Sequence, residues 1–233
     1  MNISRLIAFT RASVILALLI VALVGCGRKR SGVISDETAP TGKMRMDAFL
    51  FDVKMRFNKQ PRSFRLDLYV TDTVALVTAR GYVGKGVARG IWRADSSYFY
   101  FPIENEYFSG SLDSMINGDC WSFLGAQANF PLLLRGTRGS LVEILGLTET
   151  SSHKKKIAGV LDRYSEKSEC DTPLRVVYDR KSDGLYYLKE FEYRGEGELS
   201  RVVGKRRKLK QGAKIKKSRL NFTAPADAIL IRY

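Results

Sequence analysis

The chain has 233 residues, of which 45% are hydrophobic and 27% charged, and its formal net charge is +15. This length suits one domain with a sizeable core, and the apolar content excludes a chain too polar to fold. In the cytoplasm such a charge would indicate a nucleic-acid partner. An exported chain would meet anionic membrane headgroups instead, and a charge that only keeps the surface soluble is the third interpretation.

The N-terminus has the pattern of a bacterial lipoprotein signal peptide. Arg5 and Arg11 precede an apolar run over residues 14–24, which is too short for a membrane span of about 20 residues and has the length of a secretory h-region. The run ends in LVGC at residues 23–26, which resembles the lipobox cleaved before a lipid-carrying cysteine. The sequence therefore predicts a signal peptide over residues 1–25 and lipidation of Cys26. A plain secretory peptide, or a buried apolar segment with a chance cysteine, is the alternative.

A lipidated Cys26 would place the protein in the cell envelope, held on membrane lipid by its acyl anchor. Gly27 follows the cysteine, where an Asp would resemble an inner-membrane retention signal. The predicted location is therefore the outer membrane, facing the periplasm.

The rest of the chain alternates mostly in the manner of strands. Residues 26–42 are polar and without periodicity, which predicts a flexible tether. Strands are predicted over residues 43–57, 64–70, 74–79, 87–94, 97–103 and 106–109. A helical pattern occupies residues 111–145. Strands resume over residues 156–164, 174–179, 185–193, 199–209, 213–222 and 228–232, with a hairpin turn at residues 210–212. The sequence predicts a mainly β domain over residues 43–233, with about ten antiparallel strands and one mid-chain helical insertion.

The first predicted strand changes the phase of its alternation. Apolar residues occupy even positions up to Leu50 and odd positions from Phe49 onwards. Such a change predicts either a β-bulge or a segment that is covered on both faces.

Catalytic and metal-binding patterns are missing from the sequence. The single histidine, His153, lies in a lysine run, and no Ser–His–Asp or Cys–His arrangement surrounds it. The His/Cys spacing of metal sites is missing, and the glycine-rich residues 81–86 match neither nucleotide-binding pattern. We therefore predict a non-enzymatic protein with no cofactor, no metal and no catalytic residue. Cys120 and Cys170 form a disulfide or remain as two buried thiols, and the sequence leaves both open.

Four short segments resemble the LolA/LolB superfamily of lipoprotein carriers and receptors. They are ADS at residues 94–96, EYFSG at 106–110, LLLRG at 132–136 and FTAP at 222–225. The resemblance covers most of residues 43–233, and within the superfamily it is nearest to a LolB-like lipoprotein group of unassigned function. It implies a half-open antiparallel β-barrel whose apolar concave face is covered by a helical lid. It also implies an acyl-chain ligand, from a lipid or a lipoprotein.

The resemblance also implies a protruding loop that helps to insert the delivered lipid. By position this loop corresponds to residues 80–86, with Tyr82 and Val83 at its tip. The alternative is a glycine hairpin whose tyrosine folds back onto the sheet.

Large apolar residues on the predicted strands and helices could line such a concave face. In a closed fold the same residues would form an ordinary filled core, and the sequence does not separate these two interpretations. The candidates are Phe49, Phe51, Val53, Leu66, Leu68, Trp92, Phe99, Phe101, Trp121, Leu133 and Phe191.

The second candidate site is the basic segment of the predicted C-terminal hairpin, because residues 199–226 contain no acid. One interpretation is an edge hairpin kept soluble by lysines. The other is a site for lipid phosphates, with headgroup-binding candidates Lys205, Arg206, Arg207, Lys208, Lys216 and Lys217. The predicted function is acyl-chain binding in lipoprotein or lipid transfer to the outer membrane, without nucleic acid. The alternative is an interaction lipoprotein that docks an envelope protein through this basic hairpin.

Overall fold

The computed structural model describes residues 42–81, 84, 86–112, 126–153, 156–161, 174–194 and 199–231. Predictions for the signal peptide and the tether lie outside the described residues. The same holds for the lipidation, loop-tip, pocket and disulfide candidates Cys26, Tyr82, Val83, Cys120, Trp121 and Cys170.

The described residues are mainly β, with thirteen strands and only short helical segments among them. The first six strands are β1 (Lys43–Phe57), β2 (Gln60–Val70), β3 (Val74–Gly81), β4 (Gly86–Arg93), β5 (Ser97–Phe101) and β6 (Glu106–Gly110). The helical segments are α1 (Ala126–Leu134), a π-helical turn (Ser140–Ile144) and a 3-10 turn (Lys217–Leu220). The remaining strands are β7 (Arg135–Gly136), β8 (Leu147–His153), β9 (Lys156–Leu161), β10 (Leu174–Arg180), β11 (Tyr186–Arg194), β12 (Leu199–Lys216) and β13 (Ile229–Ile231).

All thirteen strands belong to one sheet that is not closed. Its order is β13-β6-β5-β4-β3-β2-β1-β12-β11-β10-β9-β8, and β7 pairs with β11 beside this path. No pairing joins β13 to β8 in the described part of the chain. The predicted mainly β, largely antiparallel class is confirmed, but β13 pairs with β6 in parallel and the strand number exceeds the predicted ten.

The two faces of the sheet bury different apolar clusters. We call the face of the larger cluster the inner face; it includes Phe49, Phe51, Leu66 and Leu68. The smaller cluster lies on the opposite face and includes Met46, Leu76, Ile91, Ala213 and Ile215. The strand β1 therefore buries even positions on one face near its start and odd positions on the other from Phe49 onwards. Both predicted explanations for the phase change are found: β1 is covered on both faces, and its register with β12 shifts between Met46 and Ala48 and between Leu50 and Phe51. Its register with β2 has no shift.

The predicted hairpin over residues 199–222 is wrong, because its first eighteen residues form the single strand β12. The residues KQG at 210–212 have turn-like composition, but Gly212 uses its positive φ of 59° in a β-bulge. The register with β1 passes from Met46 opposite Ala213 to Ala48 opposite Lys210, so two residues of β12 oppose Asp47 alone. The Gly212 amide donates a hydrogen bond of 3.0 Å to the Asp47 carboxylate, which fixes the bulge.

Residues 217–228, which we call the strap, cross the face opposite the inner face, from β12 to the far edge of the sheet. The guanidinium of Arg219 lies 4.8 Å from the ring centroid of Tyr69 on β2. Farther along, the ring of Phe222 lies 6.0 Å from that of Tyr98 on β5. The strap ends where β13 pairs with the edge strand β6, so the C-terminus covers one face and one edge of the sheet.

Candidate functional site

The inner face brings together nine of the predicted pocket residues. Each of them is 6% exposed or less and belongs to the one large apolar cluster: Phe49, Phe51, Val53, Leu66, Leu68, Trp92, Phe99, Phe101 and Phe191. Leu133 on α1 is partly buried and packs against the same cluster. The residues lie on one face because strand side chains alternate and the register aligns the buried positions of neighbouring strands.

Aromatic rings dominate the centre of this face. Phe49 and Phe51 stack with ring centroids 6.2 Å apart, and Phe191 reaches Phe51 from β11 at 5.8 Å. On the neighbouring strands, Phe49 pairs with Leu68 and Phe51 with Leu66. The result is a continuous aromatic and aliphatic surface across β11, β12, β1 and β2.

Two glycines that the sequence analysis missed make room for these rings. A Cβ atom at Gly204 would lie 2.1 Å from the ring of Phe191, and one at Gly90 would lie 2.2 Å from the ring of Phe99. Real Cβ contacts are never so short, so both positions require glycine for space. The signal was invisible in the sequence because it depends on which residue stands opposite each glycine.

Short helical segments cover the inner face. From α1, Phe130 places its ring 5.7 Å from that of Trp92. The hydroxyl of Tyr178 donates a hydrogen bond of 2.9 Å to the Leu133 carbonyl near the end of α1, which satisfies one of the carbonyls that a helix end leaves unpaired. Burial raises the pKa of Tyr178 above its usual range, so this hydroxyl stays a donor. Leu141 and Leu145 add further cover.

A polar network lies at the end of the inner face where the bulge of β12 opposes Asp47. Arg135 forms an ion pair with the buried Asp47 and another, of 2.7 Å, with the exposed Asp72. Burial on its own would lower the pKa of Arg135, but Asp47 and Asp72 outweigh it and the pKa is raised. Burial and a 2.6 Å hydrogen bond to Asp183 raise the pKa of Tyr187 to about 12. The network joins β1, β7, β11 and β12.

Arg206, one of the predicted headgroup-binding residues, lies inside the fold. Only 6% of its side chain is exposed, and it pairs with Asp179 at 2.5 Å. Its guanidinium also donates to the Tyr187 and Leu188 carbonyls, which bridges the place where β11 and β12 stop pairing after Lys205. Burial tends to raise the pKa of Asp179, but hydrogen bonds from Lys181 and Arg206 hold it below its usual range.

The other five basic candidates are exposed, and the register gives them different cross-strand neighbours. Lys205 stands opposite Asp52 on one side and Glu190 on the other. Lys216 stands opposite Lys43, another cation. Lys217 begins the strap beside Lys216, while Arg207 and Lys208 lie between the two ends of β12.

A groove also lies beneath the strap. It has a volume of about 730 Å³ and lies between β3, β4 and residues 219–226. The apolar side chains of Leu76 and Ile91 line this groove, and so do the charged residues Arg89 and Arg219. Arg89 donates to the Thr223 carbonyl at 3.3 Å, so this guanidinium already holds the strap in place.

Within the ranges described above, no group of three or more His, Cys, Asp or Glu side chains could hold a metal ion. No helix there combines the length and apolar character needed to cross a membrane.

Comparison with known proteins finds likenesses of structure alone. No protein-family model matches the sequence, and no curated protein matches it. A structure titled as an uncharacterized conserved protein from Thermus thermophilus is similar at 12% identity and a TM-score of 0.41, over 80% of this chain and 90% of that one. LolA superfamily protein NE2245 from Nitrosomonas europaea is similar at 10% identity and a TM-score of 0.33, over 73% and 87%. The chain thus has structural similarity to a LolA superfamily protein at low identity, and this likeness carries no inference about function.

Proposed function

We propose that this protein is a lipid-anchored envelope protein that binds acyl chains between the inner face and its helical cover, as a half-open barrel with a lid. The observation that carries the proposal is the cover itself. A continuous apolar face on an unclosed sheet is covered by α1 and a π-helical turn, and α1 has nine residues in the described part of the chain.

A cover of this kind can be displaced at modest cost. Helices of fewer than about 12 residues are marginal on their own, so α1 is held by its contacts to the sheet. An acyl chain that replaces these contacts would bury its own CH₂ groups against Phe49, Phe51 and Trp92, at about 0.8 kcal/mol for each CH₂. The face offers few polar groups, which suits a ligand that is recognised by its apolar length.

The test is uptake of a fatty acid by the full-length lipoprotein in detergent-free nanodiscs. A brominated fatty acid should quench tryptophan fluorescence, because Trp92 belongs to the apolar cluster of the inner face and contacts Phe130 of α1. Phe130→Ala, which removes the ring contact between α1 and Trp92, should increase uptake. Phe222→Ala on the strap is the matched control, since it removes a ring from the opposite face and should leave uptake unchanged.

Absence of quenching in both the wild-type protein and Phe130→Ala would refute acyl-chain binding. Equal effects of the two substitutions would show that loosening of the fold, and not opening of the inner face, admits the probe.

The lipid anchor at Cys26 is the second part of the proposal. Its support is the charged n-region, the apolar run and LVGC in that order. Mass spectrometry of the protein from membranes should find residue 26 as the N-terminus with a diacylglyceryl mass, and Cys26→Ser should abolish this modification. An N-terminus at another residue would refute the proposed lipid anchor.

Delivery of the bound lipid to the outer membrane is the third part. The loop at residues 80–86 joins β3 to β4, and Tyr82 and Val83 in this loop are the proposed insertion residues. Replacing both with Ser should slow transfer of a fluorescent lipid from protein to outer-membrane-like vesicles while uptake stays intact. An unchanged transfer rate would leave acyl-chain binding standing but would remove this role from the loop.

A further inference from the structure

We propose that four cations at one end of the β1–β12 ladder dock the domain onto an anionic lipid bilayer. We call Lys43, Arg45, Lys214 and Lys216 the cationic block. The inference rests on the lipid anchor of the proposed function, and it adds which end of the domain faces the membrane.

The register of β1 and β12 places the four side chains together. Arg45 stands directly opposite Lys214, and Lys43 stands directly opposite Lys216. Directly opposed residues have Cβ atoms about 4.5–5.5 Å apart. The intervening Met44 and Ile215 face the strap, so by alternation all four cations lie on the opposite side, which is that of Asp47 and Phe49.

No described acid neutralises the cationic block. All four residues are exposed, and none forms an ion pair in the part of the chain that the structure describes. Asp47 follows Arg45 on the same side, but it is 7% exposed and already accepts from Arg135 and the Gly212 amide. Asp183, near Gln211, is bonded to Tyr187 and Gln211.

Like charges that are directly opposed destabilise a sheet. Two such pairs in succession therefore weaken the end of the ladder unless anions from outside the domain meet them. A surface of lipid phosphates supplies these anions, and each basic residue near such a surface adds to the attraction.

The predicted tether leaves the domain at the cationic block. Gly42 precedes Lys43, and its carbonyl accepts a hydrogen bond of 3.0 Å from the Lys217 amide. Residues 27–42 separate this point from Cys26, so even a fully extended tether places the block within roughly 55 Å of the acyl anchor. The bilayer that holds the anchor is thus the anionic surface nearest to the block.

Docking can be tested by hydrogen–deuterium exchange of the full lipoprotein in nanodiscs of phosphatidylcholine, with or without phosphatidylglycerol. Amides of residues 43–46 and 213–216 should exchange at least about tenfold more slowly in the anionic nanodiscs, a factor that corresponds to about 1.4 kcal/mol. The slowing should vanish in high salt, since the Debye length falls from about 10 Å at 0.1 M to 3 Å at 1 M.

The double variant Arg45→Glu/Lys214→Glu should lose this slowing. Lys54→Glu/Lys205→Glu makes the same charge change in the same two strands, and it should keep the slowing. Arg45→Gln/Lys214→Gln supplies a second block variant in case the charge reversal impairs folding. Equal exchange in both nanodiscs, or equal losses in the block and control variants, would overturn the inference, and slowing that requires an added envelope protein would indicate a protein partner instead.

Fatty-acid uptake measured on the same samples separates this inference from acyl-chain binding. The block variants should retain uptake, because the substitutions lie beyond the apolar cluster. Anionic slowing without any uptake would refute acyl-chain binding alone. Uptake without anionic slowing would refute the docking alone.

Discussion

The two ends of the β1–β12 ladder carry similar numbers of basic residues but differ in how their charge is balanced. At the far end, Lys205 faces Asp52 and Glu190 across its two neighbouring strands. Arg201 stands opposite the cations Arg56 and Arg194 there, but it also forms an ion pair of 3.0 Å with Glu192. At the end next to the predicted tether, Arg45 faces Lys214 and Lys43 faces Lys216.

This difference shows that basic composition alone does not define a binding surface. The charge of a lysine between two carboxylates is largely neutralised, so this lysine attracts an external anion only weakly. An exposed ion pair contributes only about 0–1 kcal/mol to stability. A lysine opposite another cation gains from an external anion. The basic segment chosen from the sequence therefore contains three kinds of residue. Lys205 lies opposite acids, Arg206 is buried in an ion pair, and Lys216 lies opposite another cation.

The largest expected effect concerns Asp47, the acid at the tether end that already binds Arg135 and the Gly212 amide. Asp47→Ala should lower the free energy of unfolding by about 3 kcal/mol, because it leaves Arg135 without its buried partner and the Gly212 amide without its acceptor. Urea denaturation measures the loss. Asp72→Ala is the matched control on the same arginine, and it should cost less than about 1 kcal/mol because its carboxylate is exposed. Equal losses would mean that Arg135 gains as much from the exposed carboxylate as from the buried one.

The second effect compares the two glycines of β12, one at each end of the ladder. Gly204→Ala at the far end should cost about 2 kcal/mol, since its Cβ would collide with the ring of Phe191. Gly212→Ala at the tether end has space for a Cβ but has a φ of 59°, and it should cost about 1 kcal/mol. Adding Phe191→Leu should recover stability in the first variant and not in the second, as a double-mutant cycle would show. Recovery in both would contradict the separation of space from backbone conformation.

The third effect is confined to alkaline pH and to the network around Asp47. The folded-state pKa of Tyr187 is raised to about 12 by burial and by its bond to Asp183, whereas an unfolded tyrosine loses its proton near pH 10. Between these two values the unfolded state binds fewer protons than the folded state, so stability falls as pH rises. Tyr187→Phe should fall less steeply than the wild-type protein over this window in denaturation curves at stepped pH. Parallel curves would exclude Tyr187 as a source of the alkaline loss.

The alternation of apolar and polar residues predicted the mainly β class, because most strands bury one face. The strand β2 is an example: Phe64, Leu66, Leu68 and Val70 are all buried, as period two requires. Nine pocket candidates fell on one face for the same reason. The continuous β12 was missed because KQG resembles a turn, and the carboxylate that stabilises its bulge lies 165 residues away in the chain.

The environment of the remaining candidate residues depends on their cross-strand partners. These partners cannot be read from a single sequence. The burial of Arg206 follows from Asp179 and from the gap between β11 and β12. The cationic block follows from Lys43 and Arg45, which the sequence analysis placed on a strand without regard to charge. A basic segment indicates where cations lie along the chain, and only the register shows which of them lack an acid.

The smallest expected effect is also the one that most directly tests the comparison between the ladder ends. In solution without lipid, Arg45→Glu should raise the free energy of unfolding by about 0.5 kcal/mol, because it places opposite charges across from each other at Lys214. Lys205→Glu at the far end should lower it by a similar amount, since it puts an acid directly opposite Asp52 and Glu190. Both changes should shrink in 1 M salt, which screens exposed charges. The same charge reversal thus has opposite signs at the two ends, and a loss of stability from both variants would show that the tether end holds its cations in balance after all.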